Sequence, residues 1–139
     1  MRRARPAYLL DTSALLTLIE DERGAERVEQ VLRNERALIC FIALLEVEYI
    51  TRRKRDEATA DRRYAALKSS GATILWQMDE ETLFIAAHIK ATHRVSLGDA
   101  ITAAFAVRQG AVLIHKDPEF ETLAGQVVLE ALPFKRRSG

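Results

Sequence analysis

The sequence predicts an α/β domain built on a mainly parallel sheet of four or five strands, with helices on both faces. Short apolar runs alternate with helical patterns of roughly 10–15 residues, as in consecutive strand–helix–strand units. The apolar runs are continuous, which is typical of strands buried on both faces. The chain has 139 residues, 48% apolar and 29% charged, and this suits one packed domain over residues 1–139.

The N-terminal half of the chain begins with a strand and continues with helical patterns. Residues 7–10 form one short apolar run, and residues 37–41 form a second. Between them, Val28, Val31 and Leu32 lie at helical spacing. The helices predicted in this half cover residues 12–20 (starting at Thr12 or Ser13), 25–33, 43–55 and 57–69.

The C-terminal half repeats this alternation. Residues 72–76 and 112–114 are apolar runs that predict a third and a fourth strand, and 127–129 predict a short fifth one. Gly71 and Gly110 each follow a helical pattern, and glycine commonly ends helices. The helices predicted here cover residues 79–93 and 96–108.

Composition excludes several classes of protein. The net charge of +1 excludes a uniformly basic nucleic-acid binder, and a single cysteine, Cys40, excludes an intrachain disulfide. The longest apolar run, residues 37–45, is far shorter than the about 20 residues of a membrane span. Asp11 interrupts the N-terminal sequence before a signal-peptide core forms. We therefore expect a cytoplasmic protein without a membrane segment.

Basic residues cluster at three places. Two clusters are basic tails at about residues 1–5 and 135–139, which suit solvated ends as well as functional patches. The third consists of Arg52, Arg53, Lys54 and Arg55. Because this third run continues a helix, it is the better candidate for holding a phosphate backbone.

Two carboxylates follow strands of the predicted sheet. Asp11 comes directly after the first strand, and Asp117 comes shortly after the fourth. Ligands of parallel sheets bind at the carboxyl ends of the strands, so both should reach one edge. Each also has a simpler interpretation, since Asp11 suits a helix cap and Asp117-Pro118 suits a turn.

Helix geometry selects two more acids. Glu46 and Glu48 face nearly opposite ways, and Glu48 can pair with Arg52 one turn later. Glu46 has only apolar residues at its helical neighbours, so an unpaired carboxylate there needs compensation, such as a divalent cation. Asp99 follows Ser96 by three residues, a spacing that equally suits a capping box.

The hypothesis of a metal site depends on the convergence of Asp11, Glu46, Asp99 and Asp117. Four carboxylates at one sheet edge repel each other, and they coexist at neutral pH only if cations hold them. Ligands that are all oxygen select hard ions such as Mg²⁺ or Mn²⁺. Among the histidines, only His115 comes near this site, and a packing role is favoured over a substrate contact.

Four segments in order resemble the PIN-domain family, in particular the small VapC-type toxins. They are residues 8–15, 42–49, 97–104 and 110–120, and each contains one of the four acids. The family's second acid aligns with Glu46, and its site hydroxyl fits Thr12 or Ser13. Many relatives have threonine at the position of His115 and aspartate at that of Glu119, so Glu119 can share the fourth acid's task with Asp117.

The resemblance implies a Mg²⁺- or Mn²⁺-dependent endoribonuclease that cleaves RNA, often tRNA or rRNA, and so arrests translation. It also implies a homodimer and a cognate antitoxin that masks the active site. The expected metal ligands are Asp11, Glu46, Asp99 and Asp117, with Arg52 to Arg55 on the RNA backbone. The second and fourth helices carry Val28, Val31, Leu32, Tyr64 and Leu67 on apolar stripes that are candidate dimer surfaces, and the sequence does not select between them.

Three other functions stay open at this stage. The first is a PIN-type RNA-processing nuclease without an antitoxin. The second is a non-catalytic binding module in which the acids are only helix caps. The third is a phosphotransfer domain with Asp11 as nucleophile and Lys116 as the lysine that such chemistry requires near the sheet edge.

Overall fold

The computed structural model describes residues 5–134. The strands are β1 (Ala7–Leu10), β2 (Arg36–Cys40), β3 (Thr73–Leu75), β4 (Val112–His115) and β5 (Leu129–Ala131). The helices are α1 (Thr12–Ile19), α2 (Ala25–Asn34), α3 (Phe41–Lys54), α4 (Glu57–Lys68), α5 (Glu80–Thr92) and α6 (Leu97–Gln109). A 3₁₀-helix (Pro118–Leu123) lies between β4 and β5.

The five strands form one parallel sheet in the order β3-β2-β1-β4-β5, which confirms the predicted fold class. Leu9 at its centre pairs with Leu38 on one side and Leu113 on the other. All three are buried, because both faces are covered. The helix α1 packs against α2 and α3, and α3 against α4, whereas α5 packs against α6. Right-handed crossovers place α1 to α4 on one face and the other two on the opposite face.

The connections from β1 and from β4 leave in opposite directions along the sheet. Such a switch point opens a crevice beyond the carboxyl ends of the two strands, which is where parallel sheets bind ligands. The backbone N–H of Asp11 bonds to the Ile114 carbonyl at 3.0 Å, so β1 and β4 stay together up to this edge.

Two strands differ from the prediction. The second strand ends at Cys40, and Phe41 begins α3, with its ring edge-on to Phe105 at 5.9 Å. A continuous apolar run does not reveal where a strand turns into a helix. The fifth strand begins at Leu129, because the N–H of Val127 still bonds to the Leu123 carbonyl after the 3₁₀-helix. Sequence patterns predicted only a turn at Asp117-Pro118 where the structure has this short helix.

The predicted dimer stripes are wrong. Val28, Val31 and Leu67 are 0%, 0% and 3% exposed, and Leu32 and Tyr64 pack against the same core. The monomer itself therefore uses these side chains. The large apolar side chains that stay exposed lie elsewhere, and they include Leu45, Tyr49, Trp76, Leu83, Phe84 and Leu97.

Two further predictions concern the ends of the chain and the membrane. The basic tails lie outside the described residues except for Arg5, whose guanidinium donates to the Asn34 carbonyl at 3.2 Å. Within residues 5–134, every helix is too short or too polar to cross a bilayer.

Candidate functional site

Asp11 is a buried carboxylate at the junction of β1 and α1. It is 3% exposed, and its Oδ2 accepts hydrogen bonds from the Ser13 N–H at 3.0 Å and the Ser13 hydroxyl at 2.5 Å. It therefore caps α1, as the simpler interpretation proposed. Its Oδ1 is buried and has no hydrogen-bond donor among the described residues 5–134. Burial raises the pKa of Asp11 to about 6, because a charged form in a low dielectric is disfavoured.

Both candidate hydroxyls have partners in the site. The Ser13 hydroxyl donates to Asp11 and accepts from the Lys116 N–H at 2.8 Å, so it joins the start of α1 to the segment after β4. The Thr12 hydroxyl donates to Glu46 Oε1 at 2.8 Å. The sequence left the choice between the two residues open, and the structure gives each one its own carboxylate to orient.

Glu46 and Glu48 lie on the different faces of α3 that helical spacing predicts. Glu48 Oε1 lies 3.2 Å from the Arg52 guanidinium. Glu46 instead points toward the first turn of α6, where a Cβ added at Gly98 would lie 3.4 Å from its Oε2. The Glu46 carboxylate therefore lies next to the Gly98 backbone, at a distance that would leave a methyl group there in ordinary van der Waals contact.

Asp99, Asp117 and Glu119 offer carboxylate oxygens that all lie within 4.8 Å of one another. Burial and the charges of Asp11, Asp117 and Glu46 together raise the pKa of Asp99 to about 7. The Asp99 N–H donates to the Ser96 hydroxyl at 3.1 Å. The capping bond therefore uses the Asp99 backbone, and its carboxylate faces the other acids. Capping and membership of the acid cluster are compatible in this residue.

The donor set fits a hard divalent cation. The carboxylate oxygens that lie within 4.8 Å of one another are those of Asp99, Asp117 and Glu119. Asp11 and Glu46 lie outside this group, but near enough for their charges to raise the pKa of Asp99. Asp11 adds a buried oxygen without a donor among the described residues, which is an unfavourable arrangement unless a cation or water compensates it. An all-carboxylate set without nitrogen or sulfur ligands matches Mg²⁺ or Mn²⁺.

A family model described as "PIN domain" matches residues 8–126, which is most of the chain. The chain belongs to the PIN domain family. The match includes all four acids and both hydroxyls discussed above.

Solved structures share the fold of this PIN domain. VapBC2 from Rickettsia felis, bound to a promoter DNA fragment, superposes with a TM-score of 0.76 at 15% identity, over 91% of this chain and 99% of that one. VapBC-1 from nontypeable Haemophilus influenzae gives 0.72 at 21% identity, over 90% and 97%. VapC20 from Mycobacterium tuberculosis, described as a sarcin–ricin loop cleaving toxin, gives 0.69 at 18% identity, over 91% and 99%. A comparison with curated protein sequences finds no significant match.

His115 and Lys116 flank the acids of the PIN domain without facing them. The imidazole of His115 is fully buried, and burial lowers its pKa, so it belongs to the core as the packing interpretation proposed. The Lys116 ammonium lies 3.1 Å from the Arg23 carbonyl and 3.6 Å from Glu22 Oε1. It is thus directed to the turn between α1 and α2, which disfavours the phosphotransfer hypothesis.

The basic run at the end of α3 divides into two parts. The Arg52 guanidinium lies within 3.6 Å of three carboxylates, those of Glu48, Glu57 and Asp61. Arg53 lies over the Tyr49 ring, 5.2 Å from its centroid. Lys54 and Arg55 line a surface pocket of about 420 Å³.

Two adjoining pockets connect the acids with this basic region. One has a volume of about 370 Å³ and includes Ser13 and Asp117 in its wall. The other includes Lys54, Arg55 and Arg63, and Leu16 and Glu22 line both pockets. Together they form a groove along α1, which we call the α1 groove. The Arg63 guanidinium lies 3.0 Å from Glu20 Oε1 and donates to the Thr51 hydroxyl at 3.2 Å, so its charge is already offset.

Proposed function

We propose that this PIN domain is a Mg²⁺- or Mn²⁺-dependent endoribonuclease that hydrolyses RNA phosphodiester bonds in the cytoplasm. The observation that carries the proposal is the convergence of carboxylates from four separate segments at the switch point of the sheet. The raised pKa values of Asp11 and Asp99 support it, because they reflect burial and mutual repulsion that a cation would relieve.

Asp11, Glu46, Asp99 and Asp117 would hold the cation, and Glu119 can assist Asp117. When bound, a divalent cation activates water and stabilises negative charge on the phosphate. The protein's own contribution is orientation of the ligands by hydrogen bonds, as is typical around metal sites.

Two hydroxyls carry this orientation. Ser13 donates to Asp11 Oδ2, and the other oxygen of that carboxylate has no donor within the described residues 5–134. Thr12 donates to Glu46 Oε1, which fixes the carboxylate against α6. The two carboxyl groups thus have fixed orientations before any ligand arrives.

We place the RNA in the α1 groove. Lys54 and Arg55 at its far end suit the phosphate backbone, a kind of contact that positions RNA without reading its sequence. Arg53 remains a predicted backbone contact at the rim. Arg52 was predicted as one too, but three carboxylates within 3.6 Å already offset its charge, so we expect a smaller contribution from it. A structured RNA such as tRNA or rRNA is the proposed substrate. Support comes from the shared fold with VapC20, whose description names cleavage of the sarcin–ricin loop.

The proposed biological role is that of the toxin in a toxin–antitoxin pair. The fold neighbours include VapBC complexes, in which toxin and antitoxin are bound together. Brief induction of this chain should therefore stop growth, and a small protein encoded beside it should restore growth by binding it. An RNA-processing nuclease would cleave RNA in the same assays without requiring such a partner.

We also propose that the protein is a homodimer. Leu83 and Phe84 are neighbours on α5 and are 51% and 63% exposed, so the core of the monomer does not use these large apolar side chains. A second copy of the chain could bury them. Replacing Phe84 by serine should shift the molar mass measured by light scattering toward the monomer. An unchanged dimer would point to another face.

The catalytic proposal is tested with two matched variants of α3. Glu46→Gln removes a carboxylate of the acid site, while Glu48→Gln changes the same residue type on the opposite face. We expect Glu46→Gln to lower the rate of RNA cleavage by about 100-fold or more, because losing a metal ligand removes several kcal/mol of transition-state stabilisation. We expect Glu48→Gln and wild type to cleave alike, and EDTA to stop both.

Asp11→Asn and Asp99→Asn extend this test to the other segments. Their Mn²⁺ affinity, measured without RNA, should fall together with cleavage. Undiminished cleavage by either variant would reject the metal assignment. If the wild-type chain binds RNA but does not cleave it, the non-catalytic binding module is favoured.

A further inference from the structure

His115 is a buried imidazole at the carboxyl end of β4, two residues before Asp117. The residue is 0% exposed. Its ring packs against Phe120 and Phe134, with centroids 5.1 Å and 6.1 Å away. Burying two ring nitrogens is favourable only when both find polar partners, so their contacts decide what this residue does.

The two nitrogens reach two parts of the same turn. The Nδ1 atom accepts a hydrogen bond from the Asp117 N–H at 3.1 Å. The Nε2 atom lies 3.2 Å from Glu121 Oε1 on the 3₁₀-helix, but it makes no hydrogen bond within the described residues. The hydrogen bond that the ring does make is therefore the one through Nδ1. Because Nδ1 accepts, the proton of the neutral ring is assigned to Nε2, where it faces the Glu121 carboxylate.

The contact through Nδ1 fixes the residue that begins the turn. The Asp117 N–H is held by His115, and Asp117 Oδ1 accepts from the Glu119 N–H at 3.0 Å. The orientation of this turn determines where the carboxylates of Asp117 and Glu119 lie relative to Asp99. These three acids repel one another, so their approach needs support from neutral groups behind them.

We propose that His115 is a positioning residue of the acid site and that its Nδ1 atom, through the Asp117 N–H, holds the fourth acid in place. The inference rests on the proposed function and deepens it. His115 acts through Asp117, and it contacts neither substrate nor cation. Supporting groups of this kind typically contribute 10- to 100-fold to metal affinity.

Two amide variants separate the nitrogens. In His115→Asn the side-chain oxygen lies near the position of Nδ1 and still accepts from Asp117. In His115→Gln the amide nitrogen lies near the position of Nε2, and the acceptor for Asp117 is lost. The measurement is Mn²⁺ binding to the full chain without RNA, followed by electron paramagnetic resonance, with the melting temperature recorded for each variant.

We expect His115→Gln to weaken Mn²⁺ binding by about 10- to 100-fold and His115→Asn to stay near wild type. A merely structural ring would make both variants equally weak, and a role through Glu121 would spare only His115→Gln. Either of these results, or wild-type affinity in both variants, would overturn the proposal.

Two controls complete the design. If wild type binds Mn²⁺ and Asp99→Asn does not, the metal site at the acids is supported. The affinity of His115→Gln for Mn²⁺ then tests only the positioning role of His115. If wild type fails to bind Mn²⁺, the metal site and the positioning role both fall. Should a His115 variant not fold, ¹⁵N NMR of the wild-type imidazole still decides, since a proton on Nδ1 is incompatible with the bond to Asp117.

Discussion

Asp99 is the residue at which electrostatic repulsion within the site is most evident. Burial and three neighbouring acids raise its pKa to about 7, and burial raises the pKa of Asp11 to about 6. An unperturbed aspartate titrates at 3.8. The folded, cation-free protein therefore keeps protons that the unfolded chain has already released, from about pH 4 to about pH 7.

This difference predicts how stability depends on pH. Both carboxyls have higher pKa values in the folded state than in the unfolded chain. The free energy of unfolding should therefore fall, on the order of a few kcal/mol, as pH rises through this range. Urea unfolding in EDTA at pH 4 to 8 measures it. Saturating Mg²⁺ should flatten the profile.

The matched variant is Asp99→Asn, which cannot ionise. In EDTA at pH 8 it should be more stable than wild type, although it loses cleavage, because it removes one of the mutually repelling charges. A cation-free wild type that becomes more stable between pH 4 and 7 would contradict the assignment of these shifts.

The site residues differ in how far the sequence could predict them. Asp11 and Asp117 follow from the rule that ligands bind at strand ends, and Glu46 follows from the faces of a helix. The bond between Ser13 and Lys116 joins residues 103 positions apart, so no local pattern reveals it. The role of His115 likewise depends on a turn whose geometry only the folded chain defines.

At the scale of elements, one ion pair ties the edge of the sheet to a helix. The Arg27 guanidinium on α2 contacts both carboxylate oxygens of Glu130 on β5, at 2.7 Å and 2.9 Å. It also lies over the Tyr8 ring, 5.2 Å from the centroid. β5 has only three residues, so this pair is a substantial part of what attaches it.

We expect Arg27→Met to lower the free energy of unfolding by about 1–2 kcal/mol, because the pair is bidentate and partly buried. Arg33→Met is the control on the same helix. It breaks an exposed pair with Glu29 one turn away and should change stability by less than about 0.5 kcal/mol. If urea unfolding shows the same loss of stability for Arg27→Met and Arg33→Met, the ion pair with Glu130 does not stabilise the fold more than an exposed surface pair.

The elements were predictable where packing and local pattern agree. β1 and β2 are buried on both faces, so continuous apolar runs mark them. β5 was placed two residues early because buried Val127 belongs to the end of the 3₁₀-helix turn. This six-residue 3₁₀-helix has only two turns, and its buried face consists of Phe120 and Leu123 alone, so its three-residue period is too short to be recognised in the sequence.

At the scale of the whole molecule, positive and negative groups share one face of a nearly neutral protein. The acids lie at the switch point of the sheet, and Lys54 and Arg55 lie at the far end of the α1 groove. A phosphate chain that spans the groove would meet Lys54 and Arg55 at the end away from the acid site, and these two cations also offset Glu20 and Glu22 in the wall of the same pocket.

This separation of charge predicts how RNA binding responds to salt. In an Asp99→Asn background that does not cleave, Lys54→Gln with Arg55→Gln should weaken RNA binding and reduce the slope of log affinity against log salt by about 1–2. Fluorescence anisotropy over a series of salt concentrations measures both quantities. Arg52→Gln is the control, because three carboxylates already surround that guanidinium, and a larger effect there would relocate the RNA.

The hydroxyl bridge between Ser13 and the segment after β4 also bears on how the protein is synthesised. The first acid leaves the ribosome early, but the strand that lies beside it is among the last parts of the domain to emerge. A nascent chain that has not yet exposed β4 has no crevice in which the carboxylates can gather. The acid site can therefore form only after β4 has been synthesised and has paired with β1.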